Sequence, residues 1–169
     1  MSLRVRFDAS KAIEVLLYIA ERSANVYTAL KVLYFADKGH LTKYGRLICG
    51  DSYVAMRHGP VPSGTYDLIK YARGDGFCWE DAPITEAFAI QGRTIVPHRK
   101  ANLDFLSQSD IECLDAAIEQ YGQLSFGQLR ELSHDNAFRA SDENDFIPVE
   151  ALVRTLPNGN LLLDYLQNN

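Results

Sequence analysis

An aspartate and two histidines in the first third of the chain are the residues most able to do chemistry. Asp37 and His40 lie three residues apart. On a helix they share a face, where a carboxylate can orient an imidazole for acid–base work or both can bind a metal. His58 precedes Gly59 and is a general-base candidate on a loop. Because metal sites normally need three or four ligands, a hydrogen bond at a helix end is the favoured interpretation of His40, and a hydrolase or metal enzyme is the alternative.

The other patterns that suggest chemistry are weaker. Ser133, His134 and Asp135 are the three residue types of a hydrolase triad, but they are consecutive, so on a helix end they point in different directions. The glycines match neither a phosphate-binding loop nor a dinucleotide-binding motif. We therefore predict a protein that is not an enzyme, with no catalytic residue, cofactor or metal.

Apolar spacing predicts mostly helical structure. Asp8 or Ser10 can cap a helix over residues 11–22, and the spacing over Val26–Tyr44 predicts a long central helix that ends at Gly45. The stretch 46–62 predicts an irregular loop with at most a short strand, because Gly59-Pro60-Val61-Pro62 opposes regular pairing. Ser63 can cap a short helix that ends at Gly74.

The second half predicts one β element and further helices. Residues 77–97 should be extended, with a hairpin around Gln91-Gly92-Arg93. Capping boxes at Ser109/Glu112 and Ser125/Gln128 predict helices over 110–121 and 126–133. Pro148 suits a first helical residue. The predicted class is mainly α (α+β), a compact helical domain with one small β-hairpin around residues 77–97.

Length and composition predict one domain over residues 1–169. The longest apolar run, 15–20, is too short to cross a membrane, and the N-terminus lacks a signal-peptide pattern, so we expect a cytoplasmic protein. Cys49, Cys78 and Cys113 match no disulfide framework and are predicted to be reduced and buried. The net charge of −5 opposes a surface built for nucleic acid, although Lys31, Lys38, Lys43 and Arg46 could form a basic face.

Two ordered blocks, residues 31–46 and 50–62, resemble the signature of the Panacea (SocA-like) antitoxin family, and Leu132-Ser133-His134 is similar to a third family feature. The resemblance covers roughly residues 12–155. Leu47 and Phe138 depart from the family's usual proline and tryptophan. The matching positions, interpreted as structural, are Lys31, Tyr34, Ala36, His40, Leu41, Tyr44, Gly45, Asp51, Ala55, Gly59, Pro60, Val61 and His134.

The resemblance implies an antitoxin that neutralises a toxin by direct protein contact. Such toxins are commonly encoded beside the antitoxin, often on phage-like elements, and the family implies no catalytic residue and no cofactor. Aromatic and arginine side chains dominate interface energetics, so the predicted partner contacts are Tyr53, Arg57, His58 and Tyr66.

Two alternatives to simple neutralisation stay open. An adaptor could present its partner to a protease, with Asp142–Asp145 or Gln167-Asn168-Asn169 as the contact. A regulator of its own operon could bind DNA through the basic face, against the overall acidity.

Overall fold

The computed structural model describes residues 6–76 and 83–168, which are mainly helical with two small antiparallel sheets. The helices are α1 (Ala9–Ala20), α2 (Val26–Tyr44), α3 (Ser63–Arg73), α4 (Ile84–Ala87), α5 (Gln108–Tyr121), α6 (Phe126–Ser133), α7 (Asn136–Arg139), α8 (Val149–Arg154) and α9 (Gly159–Gln167). The strands are β1 (Tyr53–Met56), β2 (Gly59–Pro62), β3 (Phe88–Gln91), β4 (Thr94–Pro97) and β5 (Phe146–Ile147). This confirms the predicted fold class. No helix in the described ranges has the length and apolar character needed to cross a membrane.

Helix α2 lies at the centre, as predicted. Asn25 caps its start by accepting from the Thr28 amide, and Gly45, with φ 74°, ends it in the left-handed conformation that glycine tolerates. One side of α2 joins a core with α1, α3 and α5, and another side joins a second core with β1, α8 and α9. Because both cores share this helix, α2 fixes where its neighbours lie.

The predicted loop over 46–62 is wrong, since β1 and β2 form a hairpin that β5 extends in the order β2-β1-β5. The prolines are tolerated because β2 is an edge strand. Pro60 stands opposite Ala55, whose amide and carbonyl bond instead to Asp145 and Asn144 on the β5 side. Neither Pro60 nor Pro62 therefore has to donate to the ladder.

The start of α3 also differs from the prediction. Ser63 is the first helical residue rather than the cap, and Pro62, at the cap position, offers no side-chain hydrogen bond. Asp51 caps the helix from a distance instead, because its carboxylate accepts from the Gly64 amide and from both the amide and hydroxyl of Thr65. Gly74 ends the helix as predicted.

The second hairpin, β3–β4, is confirmed, with Gln91 opposite Thr94 around the Gly92-Arg93 turn. Residues 84–87 form the short helix α4 and are not extended as predicted. The rest of the predicted extended segment, 77–82, lies outside the described residues, as does Cys78. Cys49 and Cys113 are free and buried.

Of the two predicted capping boxes, the Ser125/Gln128 box is confirmed. The other is shifted, because Ser107 and Asp110 form the box and α5 begins at Gln108. Asp110 is held there by a second set of contacts, an ion pair of 2.7 Å from Lys11 and one of 3.2 Å from Arg46. Pro148 is the cap of α8 rather than its first residue.

The distant cap of α3 gives a testable prediction. Asp51→Ala leaves two amides and a hydroxyl in the first turn of α3 without their acceptor, which should lower the free energy of unfolding by about 2–3 kcal/mol. Denaturant unfolding followed by circular dichroism measures this loss. Asp67→Ala, on the outer face of α3, is the control and should cost about 0.5 kcal/mol or less. Equal losses in the two variants would contradict the capping role.

Candidate functional site

A cavity of about 550 Å³ lies at the N-terminal end of α2. Its walls are the first turns of α2, the turns of both hairpins, the start of α6 and the outer face of α3. The lining residues are Asn25, Val26, Tyr27, Thr28, Leu30, Lys31, Met56, Arg57, His58, Val61, Tyr66, Arg73, Gly92, Arg93 and Phe126. Five separate elements of the chain therefore meet at one concave surface.

Two hydrogen bonds hold the hairpin turns against the start of α2. The Val26 amide donates to the Arg93 carbonyl at 2.8 Å, which attaches the β3–β4 turn. The Tyr27 hydroxyl donates to the His58 carbonyl at 2.8 Å, which attaches the β1–β2 turn. Backbone positions on both sides of the cavity are thus fixed, while the side chains of Arg57, His58 and Arg93 remain exposed.

Lys31 lies at the floor of the cavity, with a side chain that is 0% exposed. Its ammonium group donates to the Pro60 carbonyl at 2.6 Å and lies 4.9 Å from the centre of the Tyr27 ring. Burial lowers the pKa of Lys31 to about 7, because an ammonium ion loses its hydration there. No carboxylate within the described ranges forms an ion pair with it to offset that cost.

Gly59 is required beside this contact for two reasons. Its φ of 121° is a conformation that side chains with a Cβ rarely adopt. A Cβ at this position would also lie 2.7 Å from the Ser133 hydroxyl and 3.1 Å from the Lys31 ammonium group. The glycine therefore lets β2 approach α2 and α6 closely enough for Lys31 to reach Pro60.

Aromatic rings form one wall of the cavity. The Phe126 ring is centred 4.4 Å from that of Tyr27 and 5.2 Å from that of His58, and its side chain is 50% exposed. Tyr66 lines the opposite part on α3. An exposed phenylalanine at the edge of a concave surface is the kind of side chain that anchors protein interfaces.

Three of the four predicted partner contacts, Arg57, His58 and Tyr66, line this cavity together. The assignment of Tyr53 as a surface contact is wrong for this structure, because Tyr53 is 1% exposed. Its hydroxyl donates to Asp37 at 2.5 Å, and its ring packs 5.1 Å from that of Tyr34. Tyr53 therefore links β1 to α2 inside the second core.

The motif residues in the second half of α2 make buried polar contacts. The Asp37 carboxylate accepts from Tyr53 and from the Ile48 amide at 2.7 Å; burial raises its pKa to about 7 although both hydrogen bonds oppose the rise. His40 Nδ1 lies 2.8 Å from the Arg46 carbonyl, so it must donate, and Nε2 accepts from the Ser109 hydroxyl at 2.9 Å. Burial lowers the pKa of His40, which favours this neutral form.

The remaining motif residues have structural roles of the same kind. The Tyr34 hydroxyl donates to Asp135, which also caps α7, and the exposed Tyr44 hydroxyl donates to Glu112. His134 ends α6 and packs on Phe138, and its Nε2 is buried with no hydrogen-bond partner among the described residues. The motif residues packed in the core by their apolar side chains are Ala36, Leu41 and Ala55.

The structure does not bring Asp37, His40 and His58 together. Asp37 and His40 lie in the second half of α2, whereas the His58 carbonyl is bonded to Tyr27 at its beginning. Ten residues of α-helix separate Tyr27 from Asp37, a rise of about 15 Å. Ser133 donates to the Arg130 carbonyl, so it is not paired with His134. No group of three metal-ligating side chains occurs in residues 6–76 and 83–168.

The predicted basic face is also not assembled. Lys31 is buried, and the other three cations are paired within the chain: Lys38 with Asp135, Lys43 with Glu112, and Arg46 with Asp110. Their charges are therefore largely offset where a phosphate backbone would have to bind.

The cavity residues that the sequence did not indicate as contacts include Tyr27, Arg93 and Phe126. Arg93 was visible only as part of a hairpin turn, and Phe126 only as the residue after a helix cap. The one sequence signal for Phe126 was an aromatic residue at the first position of a predicted helix. Nothing in the sequence indicates that these three positions meet, because contacts between distant segments bring them together.

The buried ammonium group predicts a pH effect on stability. The unfolded chain keeps its Lys31 proton up to a pKa of about 10.4, whereas the folded chain loses it near pH 7. Stability should therefore rise with pH between about 7 and about 9.5 by up to about 1.4 kcal/mol per pH unit from this residue, and Lys31→Met should lack that rise. The measurement is the difference in unfolding free energy between wild type and variant across this range, since groups common to both cancel.

Lys70→Met, at a partly exposed lysine on α3, is the matched control for that experiment. It removes the same side chain without removing a buried amine. Parallel pH profiles for wild type and Lys31→Met would contradict the account of Lys31.

The family model described as "Antitoxin SocA-like, Panacea domain" matches residues 30–138, more than half of the chain. The matched region holds most of α2, both hairpins, α5 and α6, and so most of the elements that line the cavity. No curated protein and no solved structure matches the chain. On this match, the chain belongs to the SocA-like antitoxin family that carries the Panacea domain.

Proposed function

We propose that this protein is an antitoxin that neutralises a cognate toxin by direct protein contact, and that the mouth of the cavity at the start of α2 is the contact surface. The observation that carries the proposal is the meeting of Arg57, His58, Tyr66 and Phe126 at one concave surface. Membership of an antitoxin family supports the role, and the exposed arginine and aromatic side chains of the concave surface support the choice of this site.

The surface has the composition of an interface centre. Arg57 and Phe126 are exposed, and the aromatic wall needs little ordering because Tyr27 and His58 already pack on Phe126. Covering such rings removes apolar area from water at a small entropic cost. The backbone of both hairpin turns is hydrogen-bonded to α2. The contact surface is therefore largely formed before the partner arrives.

Binding rather than catalysis is part of the proposal. The carboxylate and the imidazole that could do chemistry on α2, Asp37 and His40, use their polar atoms within the fold. Among the described residues, the His58 imidazole has no hydrogen bond to a carboxylate or a hydroxyl that would form a catalytic pair, since the Tyr27 hydroxyl bonds to the backbone carbonyl of His58.

A protease adaptor is a second candidate, favoured by the exposure of Asp142, Glu143 and Asp145 between α7 and β5. The other predicted contact for this role, Gln167-Asn168-Asn169, lies within the described residues only as far as Asn168. Delivery differs from masking in the fate of the toxin. If the protein delivers its partner, the half-life of the toxin lengthens in cells that lack this protein.

The proposed contact predicts the effect of two alanine substitutions. Arg57→Ala and Phe126→Ala should each weaken the complex with the toxin encoded beside this protein by about 1–3 kcal/mol, because each removes an interface side chain without opening the core. Growth of cells that express the toxin with wild type or variant reports neutralisation. Co-purification and titration calorimetry then report the affinity.

Leu161→Ala is the control for the same assays. Leu161 is 78% exposed on α9 and does not line the cavity. The control should rescue growth as well as wild type, and all variants should keep the wild-type melting temperature within a few degrees. Full rescue and unchanged affinity in a folded Arg57→Ala/Phe126→Ala double variant would remove the site assignment.

A further inference from the structure

Apart from its tyrosines, the ionisable side chains that line the cavity in the described part of the chain are basic, although the sequence is acidic overall. Among residues 6–76 and 83–168, the lining of the cavity includes the buried Lys31, the exposed Arg57, Arg73 and Arg93, and His58, and it includes no aspartate or glutamate. The whole sequence has 22 acidic residues against 17 lysines and arginines. The chain as a whole therefore carries an excess of acidic residues, whereas the exposed arginines make the cavity a local basic surface. Such a surface attracts a partner of opposite charge.

The arginines differ in whether their charge is already used. Arg73 forms a two-pronged ion pair with Asp75. Within residues 6–76 and 83–168, the guanidinium groups of Arg57 and Arg93 have no hydrogen bond and no ion pair. These two stand on different hairpin turns, which are fixed to consecutive residues at the start of α2. Two exposed guanidinium groups, each able to bind a carboxylate through two hydrogen bonds, therefore line the same cavity.

The cavity that the two arginines line also has an apolar surface. The exposed ring of Phe126, the ring of Tyr66 and the side chains of Met56 and Val61 line the same cavity. A ligand that filled it would need an anionic group for the arginines and an apolar group for this surface. A carboxylate next to an aromatic or aliphatic side chain in a peptide has both.

We propose that the cavity recognises an acidic segment of the partner protein, in which aspartate or glutamate carboxylates pair with Arg57 and Arg93 and a neighbouring apolar side chain packs on Phe126 and Tyr66. This inference rests on the proposed function, since it names the chemistry of the partner at the same surface. Arg57 then has two roles, as a contact and as a determinant of charge specificity.

The hydrogen bonds at the start of α2 favour a peptide over a nucleotide. A helix N-terminus binds phosphate through its free amides. Here the Val26 amide is taken by the Arg93 carbonyl and the Thr28 amide by the Asn25 side chain. Two of the first-turn amides are therefore already bonded, which weakens this end of the helix as a phosphate site, and the arginine fork suits carboxylates as well as phosphates.

The test is selection of short random peptides displayed on phage against the full chain, which requires no knowledge of the toxin. Enriched peptides should carry aspartate or glutamate beside an aromatic or aliphatic residue. Their affinity for the Arg57→Glu/Arg93→Glu variant should fall at least about tenfold, because attraction becomes repulsion, and binding to wild type should weaken with added salt. Arg154→Glu, an exposed arginine on α8 outside the cavity, is the control and should bind the peptides as wild type does.

Three results would overturn the inference: no enrichment of acidic peptides, peptides whose binding is unchanged by the double reversal, or ATP that binds wild type and displaces the peptides in equilibrium dialysis. Different results would contradict the proposed function. If the toxin complex survives the double reversal but is lost in Phe126→Ala, the contact surface stands and its charge specificity is wrong. If no toxin complex forms with wild type, the antitoxin proposal fails, and the peptide selection still decides what the cavity binds.

Discussion

The ammonium group of Lys31 donates to the carbonyl of Pro60, and the arrangement of the cavity depends on this buried contact between α2 and β2. It is possible because Pro60 lies on an edge strand opposite Ala55, whose amide and carbonyl bond to the β5 side, and because Gly59 has no Cβ to keep the strand away. The contact sets the position of the β1–β2 turn, which carries Arg57 and His58 to the start of α2. Phe126 and the β3–β4 turn complete the surface from two other parts of the chain.

Buried polar contacts also connect the second half of α2 to its neighbouring segments. Asp37 and His40 are buried, and each is satisfied by groups from neighbouring segments rather than by its own helix. Burying polar groups in this way is a weak source of stability, because their desolvation offsets much of what the hydrogen bonds return. Their effect is on geometry. A neighbour in the wrong register would leave a buried carboxylate or imidazole without a partner, so these residues fix how β1 and α5 lie on α2.

The sequence predicted features whose causes lie within about four residues and failed where the cause is distant. Gly45 and the Ser125/Gln128 box were assigned correctly, and Asp8, one of the two candidate caps, caps α1, because a helix end is decided by its own first or last turn. Ser107 and Ser109 both precede an acidic residue by three, and the choice between them was made by Lys11 and Arg46, which only the fold brings to Asp110. The strand at Pro60 was missed because a proline excludes a central strand but not an edge strand, and edge position is not a local property.

The candidate site shows the same limit. Three of the predicted contacts, Arg57, His58 and Tyr66, line one cavity. Tyr53, from the same stretch of sequence, is buried, and its hydroxyl donates to Asp37, which lies 16 residues earlier. Alternation along β1 would have placed Tyr53 on a buried face had the strand been recognised. The family resemblance indicated the matching positions without their roles, and the structure supplies these as contacts: Asp51 as a cap, Gly59 as a close approach, and Lys31 as the link to β2.

Hydrogen–deuterium exchange of the full chain, with and without the product of the neighbouring gene, the proposed toxin, is the most direct test of the central claim. The account predicts slower exchange at the two hairpin turns and at the start of α6, since these segments surround the cavity that the toxin should cover. Protection confined to α8 and α9, with the cavity segments unchanged, would place the contact elsewhere and contradict the account.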